Sequence, residues 1–487
     1  MKTLVQGGTI VAFNGKSHTL IPNGYLIFED DRVTEVGQDL SASPQQMADR
    51  QLDARGMLVC PGFINSHIHS GINAGDALLG DVTRRDYFGG NYMSFGAPLK
   101  GAPRPRGSDY DLRVRFGLLQ ALRGGATTMI DVGISAGNPD RFVELVGEVG
   151  LRVYASPGYR SAEIFTDRQG RFVPDWDEER GRQGMKNALA FCERYEGALG
   201  GRLRCMLFPR QVHLCTPELL KASRQAATDL KIPMQIHAAM NLWEFNYTMA
   251  EYRKTPIGYL KDLGFLGPDV ILGHCIFTSG HSWVNYPGDD DVQAIAESGA
   301  TISHSASKYA KIGIALESFQ RHIDRGVRIS LATDTNPFDL VTELRAAAYM
   351  SRSVDRDHLS ARPADIFNSA TLAGADALGR SDLGRLCQGA KADMLFIDQR
   401  RLMVGGVLDP IQALIETGNA SHINTILVNG KILVQGGKVL GLDETDFMER
   451  VQKECEGTWE AIPNWHFAGL RADQMCPPTY PAWSQPK

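Results

Sequence analysis

The sequence lacks the features that mark secreted, membrane-spanning or nucleic-acid-binding proteins. No stretch approaches the roughly 20 apolar residues that a membrane span needs, and the N-terminus lacks the basic and then apolar pattern of a secretory signal. Lysine and arginine are dispersed, and the formal net charge is −5. We therefore expect a cytoplasmic protein with neither a nucleic acid nor an anionic membrane as its partner.

Paired cysteines are also missing. The eight cysteines are scattered, and none forms a C-x-x-C motif, so we expect reduced, mostly buried thiols and neither a disulfide framework nor a cysteine zinc site. What is present is a globular composition, with 43% hydrophobic and 22% charged residues among 487. This length exceeds one ordinary domain and suits a barrel with a smaller module.

Both ends of the chain carry short alternating strands with tight turns. They occupy residues 1–62 and 381–440, and the second segment contains Asn429-Gly430 between apolar runs, a strong hairpin signal. We predict that the two segments form one small, discontinuous β-sandwich. Residues 441–487 are predicted to form a helical C-terminal tail.

The middle of the chain, residues 63–380, alternates between apolar runs and amphipathic helices. Continuous apolar strands that alternate with helices predict a parallel sheet covered by helices. Eight such units favour an α/β fold of the (β/α)8 TIM barrel type. The runs lie at 58–64, 127–132, 152–155, 203–208, 234–236, 270–272, 300–302 and 328–331.

Metal-binding residue types follow these runs. The C-terminal ends of barrel strands converge on one face, where active sites are built, and the two histidines of an H-x-H motif share one side of a strand. A single histidine at a strand end is often only a packing residue, but an ordered set on several strands favours a metal site. The set comprises His67, His69, His237, His274, His304 and Asp334.

Imidazole and carboxylate ligands suit a catalytic zinc, iron, cobalt or manganese ion. Such an ion lowers the pKa of a coordinated water toward about 7, which makes a nucleophile available. We predict that Asp334 takes the proton of that water and passes it to the leaving group. His274 is predicted to orient the water or to polarise the carbon under attack, and His304 is left as a supporting or substrate-facing residue.

Five stretches carry recognisable motifs: PGFINSHIHS at 61–70, GATTMID at 125–131, GHC at 273–275, LATD at 331–334 and the stretch 370–393. Together they resemble the amidohydrolase superfamily, in its cytosine deaminase and atrazine chlorohydrolase branch, over nearly the whole chain. The resemblance implies His67, His69, His237 and Asp334 as metal ligands, with His274 as a fifth ligand or proton shuttle. Binuclear relatives carry a carbamylated lysine at the end of the fourth strand, and no lysine stands there in this sequence. One divalent metal is therefore expected, zinc first and Fe²⁺, Co²⁺ or Mn²⁺ as alternatives.

Three departures from this family separate the sequence from the deaminating members. The position three residues after His237, which is a ring-protonating glutamate in those members, is Met240 here, and Glu244 could replace the acid only if the loop folds back. The fourth-strand histidine is replaced by Arg210, a fixed cation that suits an anionic or carbonyl-bearing substrate but equally a structural ion pair. The seventh-strand pattern reads Ser-Ala-Ser-Lys at 305–308, so substrate contacts there do not transfer.

A long segment follows the first metal-binding strand. Residues 70–108 are rich in glycine and aromatics, and a long loop at such a place is usually functional. We predict a substrate lid or a contact with a second subunit, with a mobile surface loop as the alternative. Trp243 and Phe245 are further pocket candidates, although core packing would explain them equally well.

These observations predict a metal-dependent hydrolase of a small molecule, in a homodimer or higher homo-oligomer. The missing acid at Met240 favours a non-peptide C–N bond of the amide, carbamate or urea type, since its carbon is already a carbonyl. The alternative is a deaminase or chlorohydrolase of an N-heterocycle. A non-catalytic metal-binding scaffold is a third reading, which the complete ligand set disfavours.

Overall fold

The computed structural model describes residues 1–40, 43–71, 98–102, 109–132, 134 and 138–483. Its strands, in chain order, are β1 (Lys2–Phe13), β2 (His18–Glu29), β3 (Arg32–Gly37), β4 (Arg50–Asp53), β5 (Met57–Pro61), β6 (Phe63–Ile68), β7 (Ala126–Val132), β8 (Arg152–Ser156), β9 (Ala162–Thr166), β10 (Phe172–Trp176), β11 (Leu203–Cys205), β12 (Met234–Ala238), β13 (Val270–His274), β14 (Thr301–His304), β15 (Arg328–Leu331), β16 (Met394–Asp398), β17 (Ile423–Val428), β18 (Lys431–Gln435) and β19 (Lys438–Val439).

The helices begin where capping residues precede apolar stretches; Asp109, for example, accepts the amide hydrogen of Leu112 and so satisfies a donor at the start of α2. They are α1 (Pro44–Met47), α2 (Tyr110–Arg123), α3 (Pro139–Val149), α4 (Glu178–Tyr195), α5 (Ala198–Gly201), α6 (Pro217–Leu230), α7 (Leu242–Tyr252), α8 (Pro256–Asp262), α9 (Asp290–Ser298), α10 (Ala306–Ala310), α11 (Phe319–Asp324), α12 (Leu340–Asp355), α13 (Pro363–Ala370), α14 (Leu372–Ala377), α15 (Pro410–Thr417), α16 (Glu444–Glu460) and α17 (Ala472–Met475).

The middle of the chain forms two four-stranded parallel sheets, in the orders β11-β8-β7-β6 and β12-β13-β14-β15. Isolated parallel bridges connect them at both edges: Ile68 pairs with Asp334, and Leu207 pairs with Met234. These strands are almost completely buried because helices cover them, as expected of parallel strands. The predicted α/β class is confirmed.

The two ends of the chain meet in a second, mixed sheet. Its strand order is β19-β18-β17-β16-β5-β1-β2-β3, with β4 paired to β1. N-terminal and C-terminal strands join where β5 and β16 pair antiparallel. Strands from both ends of the chain therefore share one sheet, and the β-sandwich stays a prediction.

The first predicted barrel strand, 58–64, is in fact two strands. β5 belongs to the mixed sheet and β6 to the parallel sheet, and Gly62 separates them. A Cβ atom at Gly62 would lie 2.0 Å from Oγ1 of Thr127, so only glycine allows β7 to approach this turn. An antiparallel hairpin of β9 and β10 after the third barrel strand was not predicted.

Six of the eight cysteines are buried, as expected from the sequence for most of the thiols. The predicted tail helix corresponds to α16, whose buried face contacts α2 through Phe447 and Val451. Within the described ranges, no helix has the length and apolar character required to cross a membrane.

Candidate metal centre and active site

Four histidines and one aspartate converge where the parallel strands end. Nε2 of His67 lies 3.1 Å from Nε2 of His237, and Oδ1 of Asp334 lies 3.5 Å from Nε2 of His67 and 3.4 Å from Nε2 of His69. His274 completes a triad with His67 and His237. Ligands about 2.0–2.2 Å from one ion stand roughly 3–4 Å apart, so these separations suit a shared metal.

The hydrogen bonds behind two of the rings fix their protonation. The amide nitrogen of Gln235 donates to the carbonyl of Ser66 at 2.8 Å, which turns its Oε1 toward Nδ1 of His67 at 3.0 Å. Nδ1 of His237 lies 2.6 Å from the carbonyl oxygen of Arg210. Both Nδ1 atoms must therefore donate, and both Nε2 atoms present lone pairs. Two lone pairs that face each other at 3.1 Å repel unless a cation lies between them, so this donor set fits a metal ion.

The protonation states suit metal ligation as well. Burial lowers the pKa of His69 to about 3 and holds the pKa values of His237 and His274 well below their ordinary range. Burial alone would raise the pKa of Asp334, yet Lys308 and the bond to His67 hold it well below its usual value. At neutral pH the cluster thus offers the neutral imidazoles of His69, His237 and His274 and the ionised carboxylate of Asp334.

The backbone is strained at the same place. His274 has φ +79° and Asp334 has φ +60°, in the left-handed region that non-glycine residues rarely adopt. The tertiary structure holds Asp334 through two main-chain bonds, because its amide donates to His67 at 2.9 Å and its carbonyl accepts from His69 at 3.1 Å. Both ring nitrogens of His274 are buried and make no hydrogen bond within the described part of the chain, which leaves them available to a metal, water or substrate.

Lys308 contributes to the site although the sequence did not single it out as a site residue. Its ammonium contacts Oδ2 of Asp334, the same oxygen that lies 3.9 Å from Nε2 of His274. The signal in the sequence was the departure from the family pattern after the seventh strand. A pattern departure alone gives no direction for the side chain, so it could not place Lys308 against the aspartate.

Met240 occupies the position of the missing acid, and Glu244 does not replace it. The loop does fold back: one carboxylate oxygen of Glu244 accepts the amide hydrogen of Ala239 at 3.0 Å and the other that of Met240 at 2.8 Å. Glu244 is completely buried. Its carboxylate is therefore committed to holding the loop after β12.

The three predicted substrate contacts have different surroundings. Arg210 adjoins the cluster through its carbonyl bond to His237. His304 does not join the cluster. Ser303 takes the inner face, where its hydroxyl lies 2.7 Å from that of Ser66, and His304 lines a small cavity with Phe319 of α11. Strand alternation thus turns His304 toward the outer helices.

Trp243, on α7, belongs to an aromatic group. Its ring meets His213 at 4.8 Å, Phe172 at 5.2 Å and Tyr247 at 5.4 Å between centroids. This group connects α7 to the hairpin of β9 and β10. The predicted lid over 70–108 lies mostly outside the described residues.

Comparison with known proteins gives the family. The amidohydrolase family model matches residues 58–433. A 5'-deoxyadenosine deaminase of Methanosarcina barkeri is 29% identical over 441 residues, which are 90% of this chain and 94% of that protein. A 5-methylthioadenosine/S-adenosylhomocysteine deaminase of Thermococcus sibiricus is 27% identical over 432 residues, covering 85% and 93%.

Solved structures share the fold. An adenosine deaminase from Xanthomonas campestris with bound zinc superposes with a TM-score of 0.77 at 17% identity, covering 94% of this chain and 98% of that one. Atrazine chlorohydrolase from Arthrobacter aurescens, complexed with zinc, gives 0.75 at 23% identity, covering 93% and 100%. The matched family model includes every residue of the histidine and aspartate cluster. The chain belongs to the amidohydrolase family and is a metal-dependent hydrolase of carbon–nitrogen bonds other than peptide bonds.

Proposed function

We propose that this chain hydrolyses a C–N bond of a small N-heterocycle with one divalent metal, zinc in preference. His67, His69, His237 and Asp334 would hold the ion, and His274 would be a fifth ligand or a proton shuttle. The observation that carries the proposal is the 3.1 Å approach of two Nε2 lone pairs, those of His67 and His237. The choice of an N-heterocycle as the substrate is supported by relatives named 5'-deoxyadenosine deaminase and 5-methylthioadenosine/S-adenosylhomocysteine deaminase.

A divalent metal in this site would lower the pKa of water toward about 7 and so supply a nucleophile at neutral pH. The two oxygens of Asp334 differ in surroundings, since Oδ1 faces His67 and His69 and Oδ2 faces His274. Oδ2 is therefore the base that takes the proton from the attacking water. As the water oxygen bonds to carbon and the C–N bond breaks, Asp334 returns that proton to the departing nitrogen.

A second candidate function is hydrolysis of an amide, carbamate or urea. It is favoured by Met240, because a thioether cannot protonate a ring nitrogen and Glu244 is held by the loop. A carbonyl carbon needs no ring protonation. His274, with both ring nitrogens unbonded, can then polarise the carbonyl oxygen. Chloride displacement from an activated ring carbon would use the same base.

The proposal is tested by incubating metal-loaded protein with matched panels of candidate substrates. The panels are amino-substituted purines, pyrimidines and triazines, their chloro analogues, and amides, carbamates and ureas, with release of ammonia, amine or chloride as the signal. Release from amino-heterocycles is expected. Release only from the third panel would replace the first candidate by the second. No release after loading with zinc, iron, cobalt or manganese would contradict both and favour a non-catalytic scaffold.

The variant Met240→Glu tests the role of the missing acid, with Met240→Gln as its control. We expect the glutamate to raise deamination of amino-heterocycles about 10²-fold or more, the scale of a positioned acid, and the glutamine to leave it unchanged. Equal rates in both variants would show that ring protonation has another source in this chain.

We also propose the finer organisation predicted above. The two parallel sheets would close into one (β/α)8 barrel at 63–380, which is supported by the bridges at both sheet edges. Residues 1–62 and 381–440 would form the small β-sandwich, with 441–487 as the tail. The protein would work in the cytoplasm as a homodimer or higher homo-oligomer.

A further inference from the structure

Lys308 stands on the reacting side of the metal-ligand aspartate. Asp334 has two distinct sides, since Oδ1 faces His67 and His69 at 3.5 Å and 3.4 Å. Oδ2 faces His274 at 3.9 Å and contacts the ammonium of Lys308. The cation therefore borders the space where a substrate must meet the base.

The short helix α10, which carries Lys308, is fixed at both ends of its first turn. A carboxylate oxygen of Glu343, itself buried on α12, accepts the amide hydrogen of Ser307 at 3.0 Å. The next residue, Tyr309, packs its ring against His274 at 5.3 Å between centroids and donates its hydroxyl to the carbonyl of Met240 at 3.3 Å. These contacts hold α10 next to both the loop that lacks the acid and the aspartate.

A second cation flanks the cluster from the fourth strand. The carbonyl oxygen of Arg210 accepts a hydrogen bond from His237. The side chain of Arg210 lies against Gly158, where an added Cβ atom would be 3.0 Å from Cγ of Arg210.

The site would carry a net positive charge with a divalent ion bound. Asp334 is the one carboxylate of the cluster, and the ammonium of Lys308 balances its charge. A divalent ion would then add positive charge for which the cluster holds no further carboxylate. Glu244 is buried and bonded to backbone amides behind the loop. A site of this kind attracts and holds negative charge, and an ammonium binds an oxyanion with a charge-assisted hydrogen bond.

We propose that Lys308 is a substrate-binding residue that selects heterocycles carrying an anionic group, such as a carboxylate, beside the scissile C–N bond. The inference rests on the proposed function, because it names the substrate class of the same site. The competing interpretation is that Lys308 only balances the charge of Asp334.

Equilibrium binding separates these interpretations without requiring turnover. Zinc-loaded protein would be titrated with an amino-pyrimidine carboxylate and its neutral carboxamide, which match in shape, by calorimetry. We expect the wild-type chain to bind the carboxylate at least about tenfold tighter, the scale of one charge-assisted bond. Equal affinity for the two ligands would overturn the proposal, whether or not either ligand is hydrolysed.

Variants then assign the preference to one residue. Lys308→Met should lose most of the preference, and Lys308→Arg should keep it. Lys311→Met, an exposed lysine three residues later, is the matched control and should equal the wild type. If Lys308→Met fails to load zinc, Lys308→Gln replaces it. A preference that survives in a zinc-loaded Lys308 variant would overturn the proposal.

Kinetics give a further separation where turnover exists. A role limited to balancing Asp334 would lower kcat for carboxylate and carboxamide alike. Substrate selection instead raises KM for the carboxylate alone. If no C–N hydrolysis is found but the charge preference is present in binding, the proposed function fails and the binding site stands.

Discussion

Gln235 holds His67 in the tautomer that a metal requires. Its Oε1 lies 3.0 Å from Nδ1 of His67, while its amide nitrogen donates to Ser66 at 2.8 Å. Because the bond to Ser66 fixes the orientation of the Gln235 amide, Oε1 faces His67 and can only accept a hydrogen bond from Nδ1. Gln235, buried in β12 two positions before His237, thereby controls a ring on β6.

Replacing Gln235 by leucine should weaken metal binding without removing a ligand. The ring of His67 would lose its hydrogen-bond acceptor, and loss of such a partner typically reduces metal affinity about 10–100-fold. Competition with a chromophoric chelator measures the zinc affinity. Gln225→Leu, at an exposed position of α6, is the control, and equal affinities in both variants would contradict the role of Gln235.

Removing the metal should lower the melting temperature. An ion that binds the folded state at 100 times its Kd contributes about 2.7 kcal/mol, and chelation removes that contribution until zinc is added again. His237→Ala should show neither the loss nor the recovery, because His237 belongs to the buried triad. His358→Ala, an exposed histidine, should respond like the wild type. A wild-type melting curve insensitive to chelator and zinc would argue against the metal centre.

The buried ion pair between Arg152 and Asp393 should be important for stability. Nε of Arg152 lies 3.0 Å from Oδ2 of Asp393, with side chains 1% and 4% exposed, and the pair connects β8 to the strands of the mixed sheet. Asp393→Asn leaves a buried guanidinium without its counter-charge, which should cost about 3–5 kcal/mol. Urea denaturation gives this free energy of unfolding.

The control for that pair is Asp167→Asn. Its partner Arg171 is 76% exposed, and exposed pairs contribute about 0–1 kcal/mol. Similar small losses in both variants would mean that water reaches Arg152 in the native state.

Glu343 should make the folded protein less stable as the pH rises toward about 8. Burial raises the pKa of its carboxyl to about 8 from the ordinary 4.5, so the folded state retains a proton that the unfolded state releases. The stability is complete below pH 4.5 and is lost as pH rises toward 8. Glu343→Gln, whose amide oxygen can still accept from Ser307, should abolish a loss of roughly 1–3 kcal/mol between pH 5 and 8.

Melting temperatures across this pH range measure the effect. Glu449→Gln, on an exposed position of α16, should keep the wild-type pH profile. If Glu343→Gln also keeps it, the carboxyl is ionised in the folded protein.

Failures of sequence-based prediction at the site have a common origin in side-chain direction. His304 ends the seventh strand as predicted, yet its neighbour Ser303 takes the inner face through Ser66. One step along a strand reverses a side chain, and the apolar run 300–302 does not specify that register. Glu244 likewise needed the loop geometry, because its role depends on the amides of Ala239 and Met240.

The amino-acid sequence alone predicted the alternation of strands and helices, the association of both chain ends and the convergence of His67, His69, His237, His274 and Asp334. It could do so because period-two and helical patterns are local, and because strand ends of a parallel sheet meet at one edge. Three features depend on the folded structure: the ring nitrogens that His67 and His237 turn to each other, the two-sided surroundings of Asp334 and the approach of Lys308. Those features arise from contacts between residues far apart in the chain, and no local pattern encodes their distances.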